Sequence, residues 1–162
     1  MKKTILSVLL LGIMINLSAQ NIANQTIGAR IGNYFGVSYQ KKLAEDSRVE
    51  LGFGYRGYAY YNDMKIDAYY HKVFDFEPLE NMNWYVGAGG GAGIWKYESR
   101  YYYDYYDYND HGTYIFIGGT GGVEYKFDFP LLVSLDVRPE FVFGNFYDGI
   151  HINVGAGARY VF

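Results

Sequence analysis

In residues 131–143, LLVSLDVRPEFVF, apolar Leu131, Val133, Leu135, Val137, Phe141 and Phe143 fall at alternate positions, with Ser134, Asp136, Arg138 and Glu140 between them. A repeat of two belongs to a strand, whose successive side chains leave opposite faces of a sheet. A helix would spread those polar side chains around its circumference. The segment RVELGFGYR, residues 48–56, separates in the same way: Val49, Leu51, Phe53 and Tyr55 share one face, and Arg48, Glu50, Gly52, Gly54 and Arg56 the other. At the end of the chain Ile150, Ile152, Val154, Ala156, Ala158, Tyr160 and Phe162 alternate with His151, Asn153, Gly155, Gly157 and Arg159.

The same count along the chain adds strands at 26–33, 36–42, 66–77, 84–96 and 114–127, eight in all. Short connections rich in turn residues lie at 43–47, 78–83 and 128–130, while the others vary in length. Short turns on one rim and variable loops on the other are the asymmetry of a transmembrane barrel. In strand 66–77 the alternation puts Lys72 beside Tyr70, Phe74 and Phe76. A bulge, or Lys72 reaching toward the rim, would accommodate it.

The N-terminal stretch MKKTILSVLLLGIMINLSAQ sets Lys2 and Lys3 before an apolar run from Ile5 to Ile15 and the small residues Ser18 and Ala19. This is the pattern of a secretory signal peptide over residues 1–19, with 20–162 as the mature barrel domain. The run is too short for the ~20 residues that a membrane-spanning helix needs. Without residues 1–19, which carry two lysines and no acid, the chain has 12 basic and 17 acidic residues, a net charge of −5. Such a chain offers no basic stripe for nucleic acid. It also has no cysteine, so a device other than disulfides must hold an exported fold together, and closure of a hydrogen-bonded barrel is such a device.

Mean hydropathy is −0.14, a value that a transmembrane barrel shares with soluble proteins because its strands alternate lipid-facing with lumen-facing residues. A soluble lipocalin-like barrel shows the same alternation with its faces exchanged. Two features favour the membrane. The polar set holds most of the glycines (52, 54, 87, 89, 91, 93, 118, 122, 155 and 157) beside long charged residues, as a narrow lumen requires, and Trp84, Tyr125, Tyr160 and Phe162 border the short turns as an interfacial girdle would. Eight strands of ~10 residues fit this length, whereas a sixteen-stranded porin does not. The expectation is an all-β, eight-stranded antiparallel up-and-down transmembrane β-barrel.

The closing segment INVGAGARYVF, with Tyr160 and terminal Phe162, looks like the assembly signal that outer-membrane barrels present to their insertion machinery. Together with YVGAGGGAGIW (85–95) and GGVEYKFDFPLLVSLDVRPEF (121–141), it resembles a family of small Gram-negative outer-membrane barrels similar to outer-membrane protein X. The resemblance spans nearly all of residues 26–162. It implies a cell outer-membrane location, contact with outer-membrane lipid and lipopolysaccharide, and passage through the barrel assembly machinery. Members serve as adhesins or structural barrels, so the fold alone does not settle function.

Arg30, Arg56, Arg138 and Arg159 face Glu50, Glu124, Asp136 and Glu140 in the lumen set, a balance that predicts a salt-bridged, closed interior. An ion pathway gated by those pairs is the alternative. Glu124 and Asp136, on neighbouring strands, have basic partners close by, and structural pairing outweighs acid–base chemistry. Barrel enzymes such as lipid A deacylases use a serine–histidine pair, but His71, His111 and His151 have no serine nearby in sequence. Neither a catalytic residue nor a metal-ligand spacing stands out, and no cofactor is implied. Gly87–Gly93 contains G-x-G-x-x-A without the helix that a dinucleotide site needs.

Segment 97–112, YESRYYYDYYDYNDHG, is the one part that a barrel does not require. It brings together Tyr97, Tyr101, Tyr102, Tyr103, Asp104, Tyr105, Tyr106, Asp107 and Tyr108, with a net charge of −3 from Glu98 to Gly112. Tyrosine gives a large amphipathic contact area at low entropic cost. The segment is therefore expected to be an extracellular loop for surface binding or adhesion to an extracellular ligand or envelope protein. A plain tyrosine-faced hairpin is the structural alternative, and an accessory barrel within a larger envelope complex the functional one.

Overall fold

A computed structural model describes residues 22–58, 61–77, 79–98, 109–144 and 148–162. Its elements are β1 (Gln25–Gly32), β2 (Phe35–Ala44), β3 (Ser47–Tyr58), β4 (Tyr61–Asp75), β5 (Met82–Glu98), β6 (Asn109–Lys126), β7 (Leu131–Gly144) and β8 (Gly149–Val161). Each strand pairs antiparallel with the next, and β8 pairs with β1 from Thr26↔Val161 to Gly32↔Gly155. The ring has no open edge, so its strands satisfy one another's backbone groups without water. All eight expected strands are present, and no helix occurs among the described residues.

Strand lengths depart from expectation at the rim opposite the termini. The β3–β4 ladder runs on to Tyr58↔Tyr61 and the β5–β6 ladder to Glu98↔Asn109. Tyr97, Glu98 and residues 109–112 of the segment expected as a loop at 97–112 therefore belong to strands, and its remainder, 99–108, lies outside the described residues. The strands that meet this rim differ in length, with β4, β5 and β6 the longest. Residues 1–21, and with them the proposed signal peptide, lie outside the described residues.

Lys72 points outward with the ladder unbroken around it, and its ammonium pairs with Asp46 in the β2–β3 turn. A bulge does occur, but in β2, between Lys42 and Ala44. The β6–β7 ladder lapses between Gly118↔Glu140 and Gly121↔Val137 and then resumes in register. Pro139, which has no N–H to donate, sits in the gap.

The two faces are inverted relative to a water-soluble barrel. Outward Ile66, Ile115, Leu135, Ile150 and Ile152 are each at least 60% exposed, whereas inward Glu50 and Arg159 are fully buried. Trp84, Tyr125, Tyr160 and Phe162 are exposed at the rim that carries the termini. There Trp84 stacks on Phe74 with ring centroids 4.3 Å apart.

Bulky inward side chains fit because glycines face them across the ladder: Tyr69 opposite Gly89, Tyr114 opposite Gly93, and Tyr85 opposite Gly122. A Cβ on Gly91 would stand 2.0 Å from the Ile66 carbonyl oxygen and 2.8 Å from Phe116 Cζ. On outward Gly119 it would meet nothing nearer than 3.7 Å. Gly91→Ala is thus expected to destabilise the barrel by ~1–3 kcal/mol, as overpacking does, and Gly119→Ala to leave it nearly unchanged. Urea-unfolding midpoints of the two variants in lipid vesicles check this.

Candidate functional site

The lumen is filled in three zones. Near the termini Ile22, from the segment before β1, packs on Val73 and Tyr85 in an apolar cluster. A band of paired charges follows. At the far end Tyr69, Trp95, Tyr114, Phe116 and Val142 form a second apolar cluster, with Tyr61 against it.

Glu50 is the hub of the charged band. One of its oxygens takes a hydrogen bond from Arg138 Nη2 at 2.7 Å, and the other takes bonds from Gln40 at 2.5 Å and Arg159 Nη2 at 3.3 Å. Arg159 also donates to Ser38 and Ser134. Arg138 reaches Asp136 at 3.0 Å and Asp67 at 3.6 Å, and Arg30 meets Asp136 at 2.5 Å. Lys65 donates to both oxygens of Glu140, which also accepts from Tyr69 and Asn153. Arg48 pairs with Glu124 at 2.7 Å, donates to His71 Nδ1 and lies over the Tyr85 ring. Pairing of this kind keeps charges ionised away from water.

Toward the far mouth, Asp63 gathers hydroxyls from Tyr34 and Tyr114 at 2.5 and 2.7 Å and the Arg56 guanidinium at 3.0 Å. Arg56 lies over the rings of Tyr34 and Tyr61. This is a binding-type surface of aromatic faces around one ion pair, but it is narrow: the neighbouring recess, shared with His151, measures only about 20 Å³.

All eight charged residues expected in the lumen stand there, seven of them buried and Arg56 part-exposed at the mouth. Four others missing from that expected set join them, Arg48, Asp63, Lys65 and Asp67, giving six cations and six carboxylates in ion pairs among the described lumen residues. Glu124 and Asp136 engage different arginines rather than each other. His71 is buried, His111 faces outward on β6, and no cluster of three metal-ligating side chains occurs among the described residues. Of the tyrosine-rich set only Tyr97 is described, exposed and paired across β4 and β6 with Tyr61 and Asp110. Tyr101, Tyr102, Tyr103, Asp104, Tyr105, Tyr106, Asp107 and Tyr108 lie outside the described residues.

No family model and no curated protein matches this sequence. Among solved structures the chain is similar to Neisserial surface protein A, with a TM-score of 0.63 and 15% identity over 85% of this chain and 94% of that one. It is likewise similar to the N-terminal β-barrel domain of Pseudomonas aeruginosa OprF (TM-score 0.53, 21% identity, 85% and 98% covered). A third similar structure is Ail, the attachment invasion locus protein of Yersinia pestis (TM-score 0.53, 16% identity, 85% and 96% covered). Ail is an outer membrane protein whose backbone structure was also determined in a phospholipid bilayer nanodisc. The fold is that of the small eight-stranded outer-membrane barrels.

Replacing Glu50 with glutamine leaves Arg159 buried without a carboxylate partner. Breaking a buried pair in this way costs ~3–5 kcal/mol, whereas Lys72→Gln, which removes the part-exposed pair with Asp46 on the outer rim, should cost no more than ~1 kcal/mol. Urea titration of both variants in the same vesicles is expected to show that order.

Proposed function

We propose that this chain is a non-enzymatic integral outer-membrane barrel that holds a tyrosine- and aspartate-rich segment above the cell surface for binding or adhesion. The observation that carries this reading is the inversion of the two faces: an apolar wall fit for lipid around an interior of paired charges. In this reading residues 1–19 direct export, Tyr160 and Phe162 belong to the signal recognised by the assembly machinery, and both termini face the periplasm. The far rim is then extracellular, and β5 and β6, the longest strands, end there on either side of segment 101–108. The likeness to Ail, an attachment invasion locus protein, makes adhesion the role to test first.

The lumen acts as a plug that stiffens the scaffold. An eight-stranded ring is just wide enough for its side chains to fill, and ion pairs and aromatic clusters occupy it from Ile22 to Tyr61. The barrel should therefore be silent in a planar bilayer, and steady conductance would support the gated-channel alternative instead.

The decisive experiment replaces residues 101–108 with a glycine–serine stretch of equal length. The variant should keep the different gel mobilities of unboiled and boiled barrel while losing both cell-surface adhesion and photo-crosslinks formed from position 105. Adhesion that survives the replacement would remove the loop from the account. Crosslinks formed instead from Leu135 on the wall would make the protein a subunit of a membrane complex.

A further inference from the structure

Among the described residues the outer wall carries an open groove of about 500 Å³ that spans β3 to β7. Phe53, Ile66, Ile94, Ile115 and Phe143 form its apolar sides. Its floor is Ala92, whose ladder neighbours Ile66 and Ile115 are both large, so the wall dips between them. Four residues further along each strand from that row, the same outward face carries Asn62, Lys96 and His111, directly paired as Asn62↔Lys96↔His111. Lys96 and His111 are exposed. Tyr55 Oη donates to Asn62 Oδ1 at 2.7 Å, which sets an aromatic ring beside this polar row.

The heights match a lipid. From girdle residue Trp84 to Ile94, β5 advances ten residues, about 33 Å of strand at ~3.3 Å per residue. At the usual tilt of ~40° this spans roughly 25 Å along the axis, the height of the apolar band of such barrels. The groove therefore sits in the half of the band remote from the termini, and Lys96 and His111 lie just past its edge, at headgroup level.

We propose that the groove seats one acyl chain of an outer-leaflet lipid whose phosphate-bearing headgroup rests on Lys96 and His111. The assignment rests on the outer-membrane reading above. It goes beyond general wetting of the wall by lipid, because an apolar slot and a basic rim together select both ends of one anionic amphiphile.

Native mass spectrometry of the full barrel in neutral detergent tests this, with phosphatidylglycerol and phosphatidylcholine of identical acyl chains as probes. Wild type should retain one phosphatidylglycerol at about fivefold lower concentration than phosphatidylcholine, the size expected for one basic side chain at an anionic surface. Lys96→Gln should remove that preference. Ala92→Phe, which fills the floor, should abolish tight retention of both lipids, whereas Leu135→Phe on another part of the wall should change nothing. Gel mobility before and after boiling verifies that each variant folds, and the surface change Lys96→Gln carries the test alone if Ala92→Phe does not. Equal retention of the two lipids by wild type, or undiminished retention by a folded Ala92→Phe barrel, overturns the proposal. A wild-type chain that fails to insert into vesicles at all would instead overturn the membrane reading beneath it.

Discussion

Glu50 sits in the charged band of the lumen, fully buried, with both oxygens committed to Arg138, Arg159 and Gln40. An ionised carboxylate in such a place is tolerable only while its partners hold their positions. Those partners come from β7, β8 and β2, so one group on β3 ties its own strand to the neighbouring β2 and, across the lumen, to β8 and to the diametrically opposite β7. The glycines serve the same requirement. By leaving the lumen face of β5 bare at 87, 89, 91 and 93, they let Tyr69, His71, Tyr114 and Phe116 lean across and fill what the charges do not.

The sequence made the strand number and most of the lumen set legible, because in β3, β7 and β8 large apolar residues and charges separate cleanly by parity. In β4 they do not. Its inward face mixes Asp63, Lys65 and Asp67 with Tyr69 and Val73, and its outward face includes Asn62, Tyr70 and Lys72. Hydropathy alone therefore started that strand at 66 and lost Asp63 and Lys65. Tyrosine is the root of the ambiguity, since its ring suits lipid and its hydroxyl suits a carboxylate, and only pairing with a bare glycine or an acid decides which applies. Arg48 lay on the expected polar face, but its partner Glu124 is 76 residues away in the chain, a contact that no local pattern encodes.

Long strands β4, β5 and β6 give the far rim one raised side. The β5–β6 ladder continues to Glu98↔Asn109, so the tyrosine-rich segment is joined to paired backbone at both of its ends. The wall groove lies on the same side, toward the termini from that pairing. Lipid contact and surface recognition would thus share the β4–β6 hairpins, while the smaller β1–β2 and β7–β8 hairpins complete the ring.

A membrane barrel requires that the outer face of the sheet meet lipid. Nitroxide labels placed singly at Val137, Phe141 and Ile152, with rim residue Glu45 as a control, would be probed in vesicles by collision with oxygen and with a water-soluble nickel complex. The three wall positions should be open to oxygen and shielded from nickel, with Glu45 showing the reverse. Wall labels as open to nickel as Glu45 would place that face in water and contradict the membrane barrel.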